Sequence, residues 1–528
     1  MASTPHLSDL APEILTSIFG HFCFHCCGEY DQPCVDTLQQ PFAKVRDIYT
    51  QGVYLLPWQS IGRKSLFSLC LVSRRLRKLA QPILHHEFTL GYCICHFGAE
   101  MLNDLPSNPL LSFFRTVTTY PDLAREVKHV YFNPDVLERV DSHVFRCWFL
   151  QDENTRSIPF RQAWERCMSN TTQEERALWP KNLPWFLETL HGQPDKDLER
   201  KARQDSASHG RLPETRWTWV ELVLLLLAQL PNLEGFMLKA HWSNRSPPPV
   251  FQVNGPFLKT ITVDHIHGYP IMDLPLNLHT INLNRCHVDT MEPTHLIPAL
   301  KTLRITDCAI KQDAFQILLD ACTGGLSNFA YEAAVMDPDP YALRLSDESH
   351  LYQHSPVQVM LYLERHIPTL ESLHLDFRQA NYGTSHPVFH LITFQSLKHV
   401  SISSDIIYGS KKEEVYDSIS LVHRFPQSII SLSIELLSGP IDHHMQLESE
   451  LVGLADLKRR QTSRFPNLQL VSTSSEQHFG VELESLFRAV GVDFRHYNEL
   501  ACYIGFRNTP LSPFETLLSP TPGLPDRF

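Results

Sequence analysis

The chain has 528 residues, several times what one hydrophobic core organises, so a few domains or one long repeat array is expected. Apolar content of 43% with 20% charged residues excludes a mostly disordered or coiled-coil chain. A net charge of −12 without a basic stripe excludes a general nucleic-acid binder.

In chain order, the amino terminus MASTPHLSDLAPEIL has neither the basic start nor the apolar run of a secretory signal. The expectation is a reducing compartment, cytoplasmic and/or nuclear, with the 13 cysteines mainly free thiols. The longest apolar run, Leu222 to Ala228, is far short of the roughly 20 residues a membrane span requires, so no membrane partner is expected. Residues 7–20 read as one amphipathic helix with Ser8 or Asp9 as N-cap and Pro12 in the first turn. Leu10, Ile14, Leu15 and Ile18 are expected on one face. A second helix is expected over Lys64–Leu79, with Leu66, Leu69, Val72 and Leu76 at helical spacing and Arg74, Arg75, Arg77 and Lys78 following.

The pattern L-x-x-L-x-P-E-I-L-x-x-I-F, followed by a helix reading L-x-x-L-x-L-V-S-R-R-L-R-x-L-A, resembles the F-box over about fifty residues. The resemblance implies a small helical module that packs on the Skp adaptor, which in turn holds a cullin scaffold and a ubiquitin-conjugating enzyme. By motif position, Leu7, Leu10, Pro12, Ile14, Leu15 and Ile18 would form or support that adaptor contact. The chain departs from the family pattern at residues 21–63, inserted where an F-box joins its first two helices directly.

The inserted segment contains His21, Cys23, His25, Cys26, Cys27 and Cys34. The C-x-x-C pair Cys23/Cys26 suits zinc only with a second ligand pair. Cys34, His21 or His25 could supply part of one, and Cys93, Cys95 and His96 lie further off, but no second C-x-x-C or H-x-x-x-H follows. The sequence reading is therefore reduced, non-ligating thiols, with no metal and no cofactor.

Further on, Leu278, Ile281, Leu283, Cys286 and Val288 give L-x-x-I-x-L-x-x-C-x-V, and Leu300, Leu303, Ile305, Cys308 and Ile310 repeat the spacing 22 residues later. Shorter cores start at Leu233, Leu258, Leu326, Leu370, Leu397 and Ile429, with a degenerate one at Val127 and a last one at Leu468. Amphipathic stretches at Ala314–Cys322, Val357–Ile367 and Glu413–Phe425 alternate with them, and Gly324 and Gly325 stop a helix before the next strand. This series resembles the leucine-rich repeat, L-x-x-L-x-L-x-x-N/C-x-L with a period of roughly 20 to 29 residues. The resemblance implies an α/β solenoid of parallel strands with helices on the outer side, with Cys286 and Cys308 at buried turn positions.

Strand alternation points the leucines inward and the residues between them to the concave face. That face would carry the target-binding residues Lys239, Asp264, Asn282, Asn284, Arg304, Glu332, His374 and Asp376, together with Met237, Thr262, Thr306, Ser401, Ser403, Ser433 and Glu435. A flat, polar wall of this kind suits a protein target better than a small apolar ligand, although most such residues on a solenoid are simply solvated.

The expected organisation is an F-box-like module with its insertion over 1–90, then a linking region with the degenerate repeat and a mobile, charged insertion over 91–217. The repeat solenoid follows over 218–505, and a disordered Pro-rich tail over 506–528. In that tail Thr509, Ser512, Ser519 and Thr521 each precede proline, as proline-directed phosphorylation requires. No phosphate loop, dinucleotide fingerprint, H-E-x-x-H or G-x-S-x-G is present, and His443 and His444 are adjacent rather than helically spaced. The expectation is a non-enzymatic substrate-recognition subunit of a Skp-cullin-F-box ubiquitin ligase, binding an unidentified protein target. The alternatives are a non-degradative repeat scaffold and a metal-dependent or thiol enzyme centred on Cys23, Cys26, Cys27 and Cys34.

Overall fold

The computed structural model describes residues 9–23, 25–26, 57–90, 109–132, 226–239, 257–264, 277–284, 286–288, 296–333, 354–377, 391–408, 421–436, 441–461, 463–474, 479 and 481–497. Leu7, most of the insertion, Cys34, Cys93, Cys95, His96, the charged segment 191–216 and the carboxyl tail lie outside them. The chain divides into two compact units, Met1–His354 with Tyr362–His366, and Ser355–Leu361 with Ile367–Phe528. Each is α/β with parallel strands.

Among the described residues the first unit begins with the helices α1 (Pro12–Gly20), α2 (Pro57–Val72) and α3 (Arg74–His85). Pro12 opens α1 at its first position, where a missing N–H costs nothing, and the cap residue is Ala11 without a side-chain bond rather than Ser8 or Asp9. The single helix expected over Lys64–Leu79 is two. Ser73 adopts an extended conformation (φ −155°, ψ 158°) and its hydroxyl accepts from the Leu76 N–H at 3.1 Å, so it caps α3 and breaks the rod. Ser73→Ala removes that bond and is expected to cost about 1 kcal/mol in chemical denaturation; an unchanged midpoint would show that the cap carries no stability. The three helices bury Leu15, Phe19, Cys23, Leu66, Cys70, Leu76, Ala80 and Ile83 together. Because the rod breaks at Ser73, Val72 does not continue the Leu66–Leu76 stripe and is 71% exposed.

From α3 the chain enters β1 (Glu87–Leu90), and after α4 (Pro109–Thr119) and α5 (Pro121–Glu126) comes β2 (His129–Phe132). The sheet continues through β3 (Gly235–Lys239), β4 (Thr260–Asp264), β5 (Thr280–Asn284), β7 (Thr302–Ile310) and β8 (Asn328–Ala333), each parallel to the one before. The two-residue β6 (His287–Val288) pairs with the end of β7. The degenerate repeat at Val127, expected in a linking region, joins the sheet: β2 lies between β1 and β3, and the array starts one strand earlier than the repeat pattern showed.

One hydrogen-bond device marks each step. At every strand entry two consecutive N–H groups donate to one carbonyl of the previous repeat. Lys128 and His129 donate to His86 O, Glu234 and Gly235 to Lys128 O, Lys259 and Thr260 to Glu234 O. His279 and Thr280 then donate to Lys259 O, Lys301 and Thr302 to His279 O, and Ser327 and Asn328 to Lys301 O. Buried apolar residues from neighbouring repeats stack behind these entries, among them Leu233, Leu258, Leu278, Leu300 and Leu326, all at most 3% exposed. No repeat buries such a face alone, so the stacking supplies the core.

Cys286 and Cys308 are buried as the repeat resemblance implied, and the Cys286 N–H donates to Cys308 Sγ at 3.3 Å. Asp307 takes the left-handed conformation (φ 52°), a bulge that shifts the β7–β8 register and turns Cys308 inward. Helix α6 (Gln312–Ala321) joins β7 to β8 and buries Ala314, Phe315, Leu318, Leu319 and Ala321. The stop after it fits the sequence reading: Gly325 has φ 77°, and a Cβ on Gly324 would lie 1.8 Å from the Pro298 carbonyl oxygen.

In the second unit β9 (Ser372–Asp376), β10 (His399–Ser403), β11 (Ser431–Glu435), β12 (Leu470–Ser474) and β13 (Asp493–Tyr497) pair in sequence, all parallel. Helices α7 (Ser404–Tyr408), α8 (Ile441–Arg460) and α9 (Val481–Ala489) lie in the crossovers that parallel pairing demands. The repeat pattern did not show β13, whose DFRHY lacks the leucine spacing. Among the described residues no helix is long and apolar enough to cross a membrane.

Candidate functional site

Two surfaces and one side-chain cluster hold the residues of interest. On α1 the expected single face is two. Leu15 and Phe19, four apart, are at most 1% exposed and form the module core, whereas Ile14 (50% exposed) and Ile18 (36%) face outward. Leu10 is half-buried against the same core, and Arg75 donates to its carbonyl at 2.6 Å; Pro12 is exposed. A groove between α1 and α2 is lined by Ile18, Phe19, Phe22, Lys64, Leu69 and Val72. Phe67, Leu71 and Val72 on α2 are each more than half exposed. The expected adaptor contact named Ile14 and Ile18 of this apolar surface and none of Phe67, Leu71 and Val72.

The expected target-binding residues fall into strand-to-strand rows, because parallel in-register pairing places equivalent positions side by side. One row is Lys239, Asp264, Asn284, Thr306 and Glu332, and its neighbour is Met237, Thr262, Asn282, Arg304 and Ala330. In the second unit His374, Ser401, Ser433, Ser472 and Arg495 form a row.

Several of these side chains are not solvated. Asn284, Glu332, His374, Asp376 and Ser403 are buried, and each takes part in a local polar interaction. His374 Nδ1 lies 3.0 Å from Ser401 Oγ, and Ser403 Oγ accepts from the Phe377 N–H at 3.1 Å. Asn282 donates to Thr262 Oγ1 at 3.0 Å, while its buried Oδ1 meets no donor among the described residues. Half-exposed Asn282, Arg304, Ser433 and Glu435 are the members of the expected set best placed to meet a target. The side chains of Lys239 and Asp264 lie outside the described set, although their strand positions are fixed.

The third feature joins distant sequence. The C-x-x-C pair Cys23/Cys26 sits beside His25 and His86, and one ligand atom from each lies within 4.8 Å of the others. His86 caps the end of α3, sixty residues beyond Cys26, so no local spacing announced it. His444 belongs to no metal-ligating cluster among the described residues, and the side chain of His443 lies outside them.

Comparisons of the chain with protein-family models, with curated proteins and with solved structures each give no match.

Proposed function

We propose that the chain is the substrate-recognition subunit of a Skp-cullin-F-box ubiquitin ligase, docking the Skp adaptor through α1 and α2 and holding a protein target on its strand rows. The observation that carries this reading is the exposed apolar surface of Ile14, Ile18, Phe22, Leu71 and Val72, on a helical module whose core is complete without it. Contiguous exposed apolar side chains on a folded module mark interaction sites more often than solvent faces. The F-box-like motif runs through Ile14, Ile18, Leu71 and Val72. The module passes straight into the strand array, since His86 both ends α3 and accepts the first inter-repeat hydrogen bonds.

In this reading the chain contributes no reacting group. It raises the effective concentration of target lysines near a charged conjugating enzyme, which is catalysis by proximity. The polar rows of each unit, with half-exposed Asn282 and Arg304 in the first and Ser433 and Glu435 in the second, suit a peptide or protein surface. The cullin scaffold is reached only through the adaptor, and the cytoplasm or nucleus is where that machinery works.

Leu71→Arg tests the α2 half of the surface without touching the core, since Leu71 is 63% exposed. Calorimetric titration with the Skp adaptor is expected to show at least about tenfold weaker binding, the loss of roughly 1.4 kcal/mol from an apolar contact. Unchanged affinity would remove α2 from the interface. A non-degradative scaffold, the second reading, shares the fold; it would bind the adaptor and yield no ubiquitin-modified partner in a reconstituted ligase.

A further inference from the structure

After α1 ends at Gly20, the chain turns tightly, with the Phe22 and Cys23 N–H groups donating to Phe19 and Gly20 carbonyls at 3.0 Å. The turn brings the C-x-x-C pair against the end of α3. Cys26 Sγ lies 3.2 Å from His86 Nδ1, Cys23 Sγ lies 3.7 Å from the same nitrogen, and Cys26 Sγ lies 3.8 Å from His25 Nδ1. Around a tetrahedral zinc ion, with Zn–S of about 2.3 Å and Zn–N of about 2.0 Å, sulfur and nitrogen ligands stand about 3.5 Å apart. The observed separations bracket that edge.

The Cys23 thiol also donates to Glu87 Oε1 at 3.4 Å. Both sulfurs approach one nitrogen of His86, which can hold at most one proton there. A divalent cation satisfies two thiolates and two imidazoles together. The surroundings supply the outer partners such a centre uses. Glu126 Oε2 lies 3.9 Å from His86 Nε2, the ring nitrogen turned away from the sulfurs. Glu87, 8% exposed, accepts the His25 backbone N–H at 2.7 Å and so fixes the ligand loop. His129 packs beside His25 at 5.3 Å between ring centroids, in space that Gly235 leaves open, since a Cβ there would meet the His129 ring at 2.0 Å.

We infer that Cys23, His25, Cys26 and His86 form a structural zinc site that ties the end of α1 to the junction of α3 and β1. This replaces the sequence expectation of non-ligating thiols. Four protein ligands leave no open coordination position, so the site holds structure rather than performing hydrolysis. Binding replaces the two thiol protons, which leave to solvent as the Zn–S bonds form. The inference stands on this geometry and is independent of any adaptor or target.

The test is metal analysis of the full-length protein, purified without chelator from zinc-supplemented cells, with cobalt titration of the metal-stripped wild type. About one zinc per chain is expected, together with the thiolate-to-cobalt charge-transfer and tetrahedral d–d absorption of a mixed sulfur–nitrogen site. Cys26→Ser and His86→Ala are each expected to lower zinc content at least about tenfold, whereas Cys322→Ser, at a buried cysteine in the repeats, keeps it. Folded wild-type protein that carries no zinc and gives no cobalt absorption overturns the site, as does a Cys23–Cys26 disulfide in protein kept under reducing conditions. The wild-type cobalt titration decides the matter even where a ligand variant fails to fold.

Discussion

Phe315→Ala is expected to destabilise the protein by about 3–5 kcal/mol, the range for emptying the site of a fully buried phenylalanine. Phe315 projects from α6 into the first unit with no exposed surface. Its ring packs on His354 at 4.5 Å, Tyr362 at 5.6 Å, Tyr331 at 5.7 Å and Phe329 at 6.4 Å between centroids. Alanine removes one partner from each of these contacts, and the neighbours are themselves held by β8 and by the His354 Nε2–Ile310 carbonyl bond of 2.8 Å, so the space cannot collapse freely. A domain stability of about 5–15 kcal/mol makes this loss large. Urea denaturation followed by tyrosine and tryptophan fluorescence measures it; a loss under about 1 kcal/mol would mean that α6 does not pack as described.

Acidification is expected to destabilise the first unit before its carboxylates titrate. His354 and His366 are at most 1% exposed, and burial lowers the pKa of both from the ordinary value of 6.5. Their roles in the folded state require neutral rings. His366 Nδ1 accepts the Leu326 N–H at 3.3 Å, and His354 Nδ1 sits without a hydrogen-bond partner beside Phe315 and Tyr331. The unfolded chain takes up protons as pH falls below about 6.5, while the folded chain resists. The stabilisation is therefore complete above 6.5 and is lost as pH falls toward the lowered folded values. Each histidine contributes at most about 1.4 kcal/mol per pH unit, roughly 2–3 kcal/mol per unit for the two. His129, pushed down to about 3 chiefly by burial, acts with the same sign. Thermal unfolding at pH 7.5 and 5.5 should show a lower Tm at 5.5, and His354→Gln should flatten the dependence; a Tm that rises on acidification contradicts the assignment.

What the sequence disclosed follows from where each signal resides. The repeat strands were legible because their leucines recur locally: the starts at 235, 260, 280, 302 and 328 reproduce the spacing of the sequence cores. Strand β1 (EFTL) and strand β13 (DFRHY) escaped because, among the described residues, each pairs on one side only, and such a strand need not carry the full inward set. The break at Ser73 was written in V-S-R-R-L, a capping serine at a helix start, but the apolar period on both sides masked it. On α1, Ile14 and Leu15 are adjacent and so point about 100° apart, which separates the exposed side chain from the core one. The polar rows were legible as positions and not as exposures, since burial depends on what the neighbouring strands place alongside. His86 was invisible as a partner of Cys23 and Cys26, because only the folding of α3 back onto the end of α1 brings it there.

In the proposed function, the apolar helical face serves attachment and the strand rows serve recognition. A cation at the cysteine–histidine cluster would fix the angle at which α1 presents Ile14 and Ile18, linking the two roles through the first helix.

The central claim is adaptor docking, and co-purification of the full-length chain with a recombinant Skp adaptor tests it most directly. Wild type is compared with the double variant Ile14→Asp, Ile18→Asp, whose substitutions lie on exposed positions and leave Leu15 and Phe19 in place. The account predicts a stable complex with wild type and none with the variant, both proteins retaining the same circular dichroism and Tm, because two charges would be buried unpaired in the interface at several kcal/mol. Folded wild-type protein that forms no complex, or a variant that binds as tightly as wild type, would contradict it.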